Sequence, residues 1–246
     1  MLSISVMAQD EVKKWSGESE LSFVKNSGNT VSNSLLAKQT VIFDSRPWKN
    51  TLKIEANNVS SDGVDPITGK SKTVRTGERY YFIDQVDRYV SSIAYAFLRG
   101  THEKDRFSSF DHQSTMVLGY GHTFVDRDSI KLKGEVGLGR SVQEWYPCDT
   151  ATCDPNVSYG KTVSSPLRYL SETFIWKISN SAEFGQDVSV EDTKDNRVNR
   201  LHVYVKAQLV GSLAMKLGYQ VRHVAEVADG KKNSDKEVTA SLIYSF

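Results

Sequence analysis

The sequence predicts an all-β protein, an antiparallel transmembrane β-barrel of about 12 strands. The first observation is the segment 236–246, in which apolar and polar side chains alternate with one exception, Ile243. Strict period two over about ten residues is the length of a tilted strand that crosses a bilayer. The second and third observations are the sorting of the loops by length and the placement of the aromatic residues. A soluble sandwich would show the same alternation in its last strand, so the remaining segments decide between the two folds.

Each strand is predicted from alternating side chains bounded by Gly, Asn, Asp or Ser. The segments are 15–25, 32–44, 48–60, 76–88, 91–103, 112–125, 128–142, 167–178, 182–192, 198–209, 212–224 and 236–246. Connections after even-numbered strands are short, and most of those after odd-numbered strands are long. A membrane barrel of even strand number requires this sorting, with both ends of the chain on the short-turn side, whereas a sandwich does not. The tight first hairpin, at 26–31, is the exception.

Aromatic side chains mark one rim, as expected where a membrane barrel meets water. Eight of them fall near strand ends on the short-turn side: Trp15, Phe43, Trp48, Tyr89, Phe124, Trp176, Phe184 and Phe246.

Odd-numbered and even-numbered positions of a strand face opposite sides of the sheet, and this parity predicts which side chains face lipid. On strand five this assignment gives Ile93, Tyr95 and Phe97 to the lipid face. Strands four and eight are less regular, because Asp84 and Glu172 share a parity with aromatic side chains. Since a carboxylate on the lipid face is costly, a bulge is expected in one of these strands.

Length and composition permit one large domain and exclude several functional classes. The 246 residues carry 31 Lys and Arg against 30 Asp and Glu, so no basic surface points to nucleic acid. No run approaches the roughly 18 apolar residues of a membrane helix. We interpret 1–8 as the remainder of a signal peptide that ends at Ala8, 9–14 as a periplasmic segment and 15–246 as the barrel.

The opening run from Trp15 to Gly17, followed by 26–30, resembles the bacterial salt-induced outer-membrane protein family. The stretch 103–111 and the glycines of the sixth and seventh strands, Gly119, Gly121, Gly134, Gly137 and Gly139, support the resemblance, which runs from about residue 15 to the end. The insertion at 144–166 departs from the pattern. The resemblance implies an outer-membrane barrel, linked by name to salt stress, with no settled biochemical activity.

The charged side chains at the inward-facing positions of the strands are the candidate functional residues, and their acidic and basic groups are equal in number. They are Glu18, Glu20, Lys38, Lys53, Glu55, Lys131, Lys133, Glu135, Glu183, Asp187, Glu191, Lys206, Lys216 and Arg222. Balanced charge favours a cross-linked interior over a strongly ion-selective pore. A barrel of this size nevertheless permits a narrow channel.

The sequence therefore predicts a non-enzymatic outer-membrane barrel in envelope adaptation to salt or osmotic stress, with a narrow passive pore as one form of that role. One alternative is a surface interaction protein that uses 144–166, where Cys148 and Cys153 are expected to form a disulfide in an exported chain. A less favoured alternative is a lipid hydrolase at His122, beside Thr123 and Ser129. We predict no catalytic residue, cofactor or metal ligand, and the acidic and histidine-rich segment 102–112 is interpreted as a solvated loop.

The expected partners follow from the location. Outer-membrane lipids would surround the barrel, and a small excess of Lys and Arg on the long loops suits lipopolysaccharide phosphates. Tyr244 and Phe246 at the end of the last strand resemble the signal read by the outer-membrane assembly machinery. The chain is expected to be a monomer.

Overall fold

The structure, a computed structural model, describes residues 14–27, 32–64, 71–105, 110–145, 160–225 and 232–246. In these residues the chain forms twelve strands and no helix. The strands are β1 (Trp15–Ser27), β2 (Ser32–Ser45), β3 (Trp48–Val64), β4 (Ser71–Tyr89), β5 (Ala94–Asp105), β6 (Phe110–Asp126), β7 (Ile130–Trp145), β8 (Thr162–Lys177), β9 (Ala182–Thr193), β10 (Arg197–Val210), β11 (Leu213–Val224) and β12 (Ser234–Ser245).

Every strand pairs antiparallel with its neighbours in sequence, and β1 pairs with β12 to close the barrel. The seam extends from Glu18 opposite Ser245 to Ser27 opposite Lys236. Beyond it, Gly17 and Phe246 exchange both backbone hydrogen bonds at 3.1 Å, and the Phe246 ring covers the Gly17 backbone. The predicted fold class is therefore confirmed.

The connections on the short-turn side have two to four residues, whereas those on the other side are longer only at 65–70, 146–161 and 225–233, so the predicted sorting by length holds only in part. The hairpin of β3 and β4 is also taller than expected. The pairing continues to Val64 opposite Ser71. In contrast, β2 is last paired with β3 at Ser60, and β5 is last paired with β4 at Arg79. The polar composition of 61–75 was interpreted as a loop, yet much of it forms a ladder, because backbone pairing needs no apolar side chain outside the membrane.

Aromatic side chains form a ring near the short-turn rim. Trp15, Trp48, Phe124 and Trp176 are all exposed on the outer surface, and Trp15 packs on Phe43 with ring centroids 4.7 Å apart. Tyr89 is the exception, because it points inward and packs against the apolar cluster inside the barrel.

On most strands the apolar side chains lie on the outer face of the barrel. Examples are Leu118, Leu138 and Leu217, which are all more than half exposed. Asp84 and Glu172 also face outward, and neither strand bulges there: the register of β4 with β5, and of β8 with both neighbours, is uninterrupted. The bulge of β4 lies instead at Thr76, where the register with β3 shifts, eight residues before Asp84. Each carboxylate is instead hydrogen-bonded by an outward carboxamide of the adjacent strand, Asn50 for Asp84 and Gln186 for Glu172.

Three predicted features lie outside the described residues. These are the signal peptide at 1–8, most of the periplasmic segment 9–14, and the Cys148 and Cys153 pair within 146–159. They stay predictions.

Candidate functional site in the lumen

All fourteen predicted lumen residues lie on the inward register of the barrel. The register carries this face from strand to strand, since Glu20 pairs with Lys38, which in turn pairs with Glu55. Across the lumen, the Lys206 ammonium reaches Glu18, although β10 and β1 are separated by two strands. The polar parity therefore lines one enclosed space.

The carboxylate of Glu20 is one of the buried charged groups of this space. Its Oε2 lies 2.5 Å from the Lys216 ammonium, and its Oε1 accepts hydrogen bonds from the hydroxyls of Ser241 at 2.6 Å and Ser22 at 3.0 Å. The two hydroxyls also lie 2.8 Å apart. Glu20 and Lys216 are each 8% exposed, so an ion pair with a complete set of donors replaces their hydration.

Three further ion pairs follow the same half of the wall. Lys206 bridges Glu18 and Glu183 at 3.0 Å each, and Lys38 lies 2.9 Å from Glu55. Lys206 and Lys38 keep about a fifth of their side-chain surface exposed, and Lys53 is exposed as well. This half of the lumen is therefore charged and open to water.

The remaining predicted residues have weaker or more exposed contacts. Asp187 accepts from the Thr173 hydroxyl at 3.0 Å and lies 3.7 Å from His202 Nδ1. Lys131 pairs with Asp126 at 3.1 Å near the short-turn rim, where both side chains are more than half exposed. Lys133 lies close enough to the buried Asp87 to interact electrostatically.

Three arginines toward the long-loop end were missed by the sequence interpretation. Arg79 lies between Glu55 and Glu103, at 3.8 and 3.6 Å, and Arg200 pairs with the predicted Glu191 at 2.8 Å. The third is Arg99, whereas Arg222 at the same end was predicted. Arg79 lies on a strand whose two faces were not separated. Arg99 has the same parity as Tyr95 and Phe97, and that parity was assigned to the lipid face. Arg200 has the inward parity of its strand but lies near the strand end and was not included.

A small cavity lies between this end and the buried ion pair. It is lined by Glu20, Leu36, Lys38, Glu55, Asn57, Arg79, His202, Lys216, Gln220, Glu237 and Thr239. Two buried atoms of the described chain have no hydrogen-bond partner, Asn57 Oδ1 in the cavity wall and Arg222 Nε. Buried polar atoms that lack a protein partner are normally satisfied by an ordered water.

The opposite wall, from β5 to β8, contains an apolar cluster, and here the predicted facing of β5 is wrong. Tyr95 and Phe97 are each 1% exposed and point into the lumen rather than toward lipid. Directly opposite them on β6 lie Gly121 and Gly119, where any Cβ atom would collide with these rings. The glycines therefore provide the space that inward aromatic rings need.

The glycines of β7 extend this arrangement. Phe97, Gly119, Gly137 and Tyr169 occupy one row across four strands. With two glycines between them, the Phe97 and Tyr169 rings meet edge to face at 6.1 Å. The Arg99 guanidinium lies 5.3 Å from the Tyr169 ring and covers the cluster.

The adjacent row ends in a carboxylate held by three donors. The Tyr95 ring crosses Gly121, and its hydroxyl donates to Glu135 Oε1 at 2.7 Å. Gln85 Nε2 donates to the same oxygen at 2.9 Å, and the Ser171 hydroxyl donates to Oε2 at 3.1 Å. The predicted lumen residue Glu135 is thus fixed against the aromatic wall.

The two less favoured chemical sites do not gather a catalytic or metal-binding set among the described residues. His122 lies on the outer face, 3.0 Å from the Tyr120 hydroxyl and against the Phe124 ring. Within 102–112, the outward His102 contacts Ser114 whereas Glu103 points inward to Arg79. The described chain holds no group of three or more possible metal ligands. The proposed use of 144–166 stays a prediction, because most of that segment is outside the described residues.

Solved structures with the same architecture are outer-membrane barrels. The NanC porin is 8% identical, and the match covers 92% of this chain and 98% of that chain with a TM-score of 0.58. The translocator domain of the autotransporter NalP from Neisseria meningitidis is 10% identical, with 95% and 89% covered and a TM-score of 0.53. The KdgM porin is 8% identical, with 93% and 99% covered and a TM-score of 0.50. At these identities the likeness is one of fold: a porin-like outer-membrane β-barrel.

Sequence comparison gives the family. The protein YdiY of Escherichia coli (strain K12), itself described as uncharacterized, is 25% identical over 238 residues, which is 95% of this chain and 84% of that protein. The salt-linked name expected from the sequence does not appear in the description of the matching family, so that link stays a prediction. The match covers residues 19–246, and the chain belongs to the family described as "Protein of unknown function, DUF481".

Proposed function

We propose that this chain resides in the outer membrane and that its lumen is a narrow passive passage for small hydrophilic solutes. The observation that supports this most directly is the partial exposure of charged side chains inside a closed barrel. Lys38, Glu55, Arg79 and Lys206 keep 17 to 26% of their side-chain surface exposed. A lumen packed solid would bury such groups, whereas a hydrated path leaves them in contact with water.

The charge pattern indicates which solutes fit. Acidic and basic groups alternate along the wall in pairs, such as Glu18 with Lys206 and Arg200 with Glu191. A pore with one dominant charge selects ions of the opposite sign, whereas a balanced lining gives weak selectivity. Small neutral or zwitterionic polar molecules are therefore the expected solutes. Two of the structural neighbours carry the name porin, which agrees with this class of function.

Single-channel recording in planar bilayers tests the passage. The folded wild-type protein should give small conductance steps with weak ion selectivity, and Lys206→Glu should shift the reversal potential toward cation preference. Lys25→Glu is the matched control, because it makes the same change on an exposed outward side chain at the end of β1 and should leave selectivity unchanged.

Two results would count against the proposal. One is the absence of steps from protein shown to be folded by circular dichroism and by heat-dependent gel mobility. The other is equal selectivity in wild type and Lys206→Glu.

We also propose that this passage serves envelope adaptation to osmotic stress, a role supported by the sequence resemblance. A strain without the gene should recover more slowly after a shift to high osmolarity, and Lys206→Glu should complement it only in part. Equal recovery of the deleted and wild-type strains would contradict the physiological role while leaving the passage itself open to the bilayer test.

A further inference from the structure

The outer face of β3, β4 and β5 carries a polar group at the depth where lipid chains would contact it. Asp84 lies five residues before Tyr89, the last residue of β4. At about 3.3 Å per residue and a tilt of about 45°, this places it about 12 Å above the short-turn rim, in the middle of an apolar band about 25 Å tall. Its neighbour on the same face, Phe82, is 41% exposed, which confirms the outward direction.

The hydrogen bonding of Asp84 is incomplete within one chain. Its Oδ1 accepts from Asn50 Nδ2 at 2.7 Å, whereas Oδ2 has no partner in the described part of the chain. The second contact of Asn50 Nδ2, to the Gln85 carbonyl, is long at 3.5 Å. A carboxylate facing hydrocarbon is costly, and such groups are normally satisfied by a protein partner.

The surface beside Asp84 is recessed. Gly100 of β5 is paired with Asp84, and a side chain placed there would meet no atom closer than 4.0 Å. The outward glycines Gly17 and Gly134 differ, because the rings of Phe246 and Phe124 cover them. Gly100 therefore leaves an uncovered depression next to an unsatisfied acceptor.

We propose that two copies of this chain associate through the outer face of β3 to β5, about a two-fold axis along the membrane normal between β3 and β4. This replaces the monomer expected from the sequence. The axis places β3 of one copy opposite β4 of the other, and the membrane keeps both at the same depth. Asn50 of each copy then faces Asp84 of the other, and each carboxylate gains the donor that it lacks. Such self-complementarity is what a two-fold interface requires.

The second outward carboxylate, Glu172, provides a matched control. It lies five residues before Lys177, the last residue of β8, so its depth is the same. Gln186 donates to it at 3.1 Å. Its surroundings are bulky, because Leu170 and Trp176 project beside it and Phe124 covers the neighbouring Gly134. Close approach of a second barrel is therefore favoured at Asp84 and not at Glu172.

Substitution tests the interface in lipid nanodiscs or mild detergent. Wild type should have a protein mass of about twice 27.6 kDa, Asp84→Leu should be a folded monomer, and Glu172→Leu should remain a dimer. Asn50→Asp alone should also give monomers, because it sets carboxylates against each other. The exchange Asn50→Asp with Asp84→Asn should restore the dimer. A monomeric wild type, or a dimer that persists in Asp84→Leu, would overturn the proposal.

A photo-crosslinking residue at Leu98, 47% exposed on β5, identifies the occupant in whole cells. The expected product is a self-adduct, with none from the same probe at Leu138 on β7. An adduct with another protein, an adduct with lipopolysaccharide, or no adduct would each refute association between copies. These measurements are independent of conductance, so the proposed passage and the proposed dimer can fail separately.

Discussion

The two halves of the inner wall solve the same packing problem with opposite chemistry. From β5 to β8, glycines on two central strands receive the rings of Tyr95, Phe97 and Tyr169, which belong to a buried apolar cluster. From β9 around to β4, long charged side chains pair across the lumen and keep part of their surface in water. The side chains of the first half are held in place by their shape, and those of the second by ion pairs. Substitutions in the two halves should therefore lower the free energy of unfolding by different amounts.

The largest effect is expected at the buried ion pair of the charged half. Glu20→Ala leaves the Lys216 ammonium and two hydroxyls without their acceptor, and should lower the free energy of unfolding by about 3–5 kcal/mol. Urea unfolding in micelles, followed by tryptophan fluorescence, measures this. The double variant with Lys216→Met should recover much of the loss. Equal stability of wild type and Glu20→Ala would contradict the assigned burial.

A loss of about 3 kcal/mol is expected for Phe97→Ala in the apolar half, because the ring is fully buried and its removal leaves a void. The same variant should raise single-channel conductance, since the ring occupies lumen space. Leu138→Ala, which shortens an exposed side chain on the lipid face, should leave conductance unchanged. If Phe97→Ala leaves conductance unaltered, the ring does not limit the bore.

Gly121→Ala sharpens the comparison by testing shape alone. The three atoms nearest to the added methyl group all belong to the Tyr95 side chain, and overpacking should cost about 1–3 kcal/mol. In a Tyr95→Ala background the same substitution should cost almost nothing, because the obstacle is gone. Additive losses in the double variant would show that the backbone, rather than the ring, requires glycine.

The smallest effect is expected at the exposed end of the charged half. Lys131→Ala breaks the ion pair with Asp126, in which both partners are more than half exposed, and should change stability by less than about 1 kcal/mol. High salt should not alter the difference from wild type by a measurable amount. A loss of stability as large as that of Glu20→Ala would mean that the contribution of an ion pair does not depend on its burial.

The sequence predicts the barrel well because side chains alternate between the two faces of a strand with a period of two, which can be read directly from the sequence. It fails at β5, where Tyr95 and Phe97 were assigned to lipid on their hydrophobicity. Their direction depends on Gly119 and Gly121, which lie distant in sequence but opposite in register. The predicted charges face inward, but their partners could not be named, because the pairing of Lys206 with Glu18 depends on barrel closure and not on neighbouring strands.

The one-sided placement of the rings also has a consequence for transport. Since Tyr95, Phe97 and Tyr169 all project from one side of the barrel, between β5 and β8, a permeating molecule would travel off-centre, along the ammonium and carboxylate groups instead of down the geometric axis. The size limit for solutes would then be set by the gap between the rigid aromatic cluster and the flexible lysine and arginine side chains opposite it. Bulky solutes would be admitted or refused by how far those lysines and arginines can fold back.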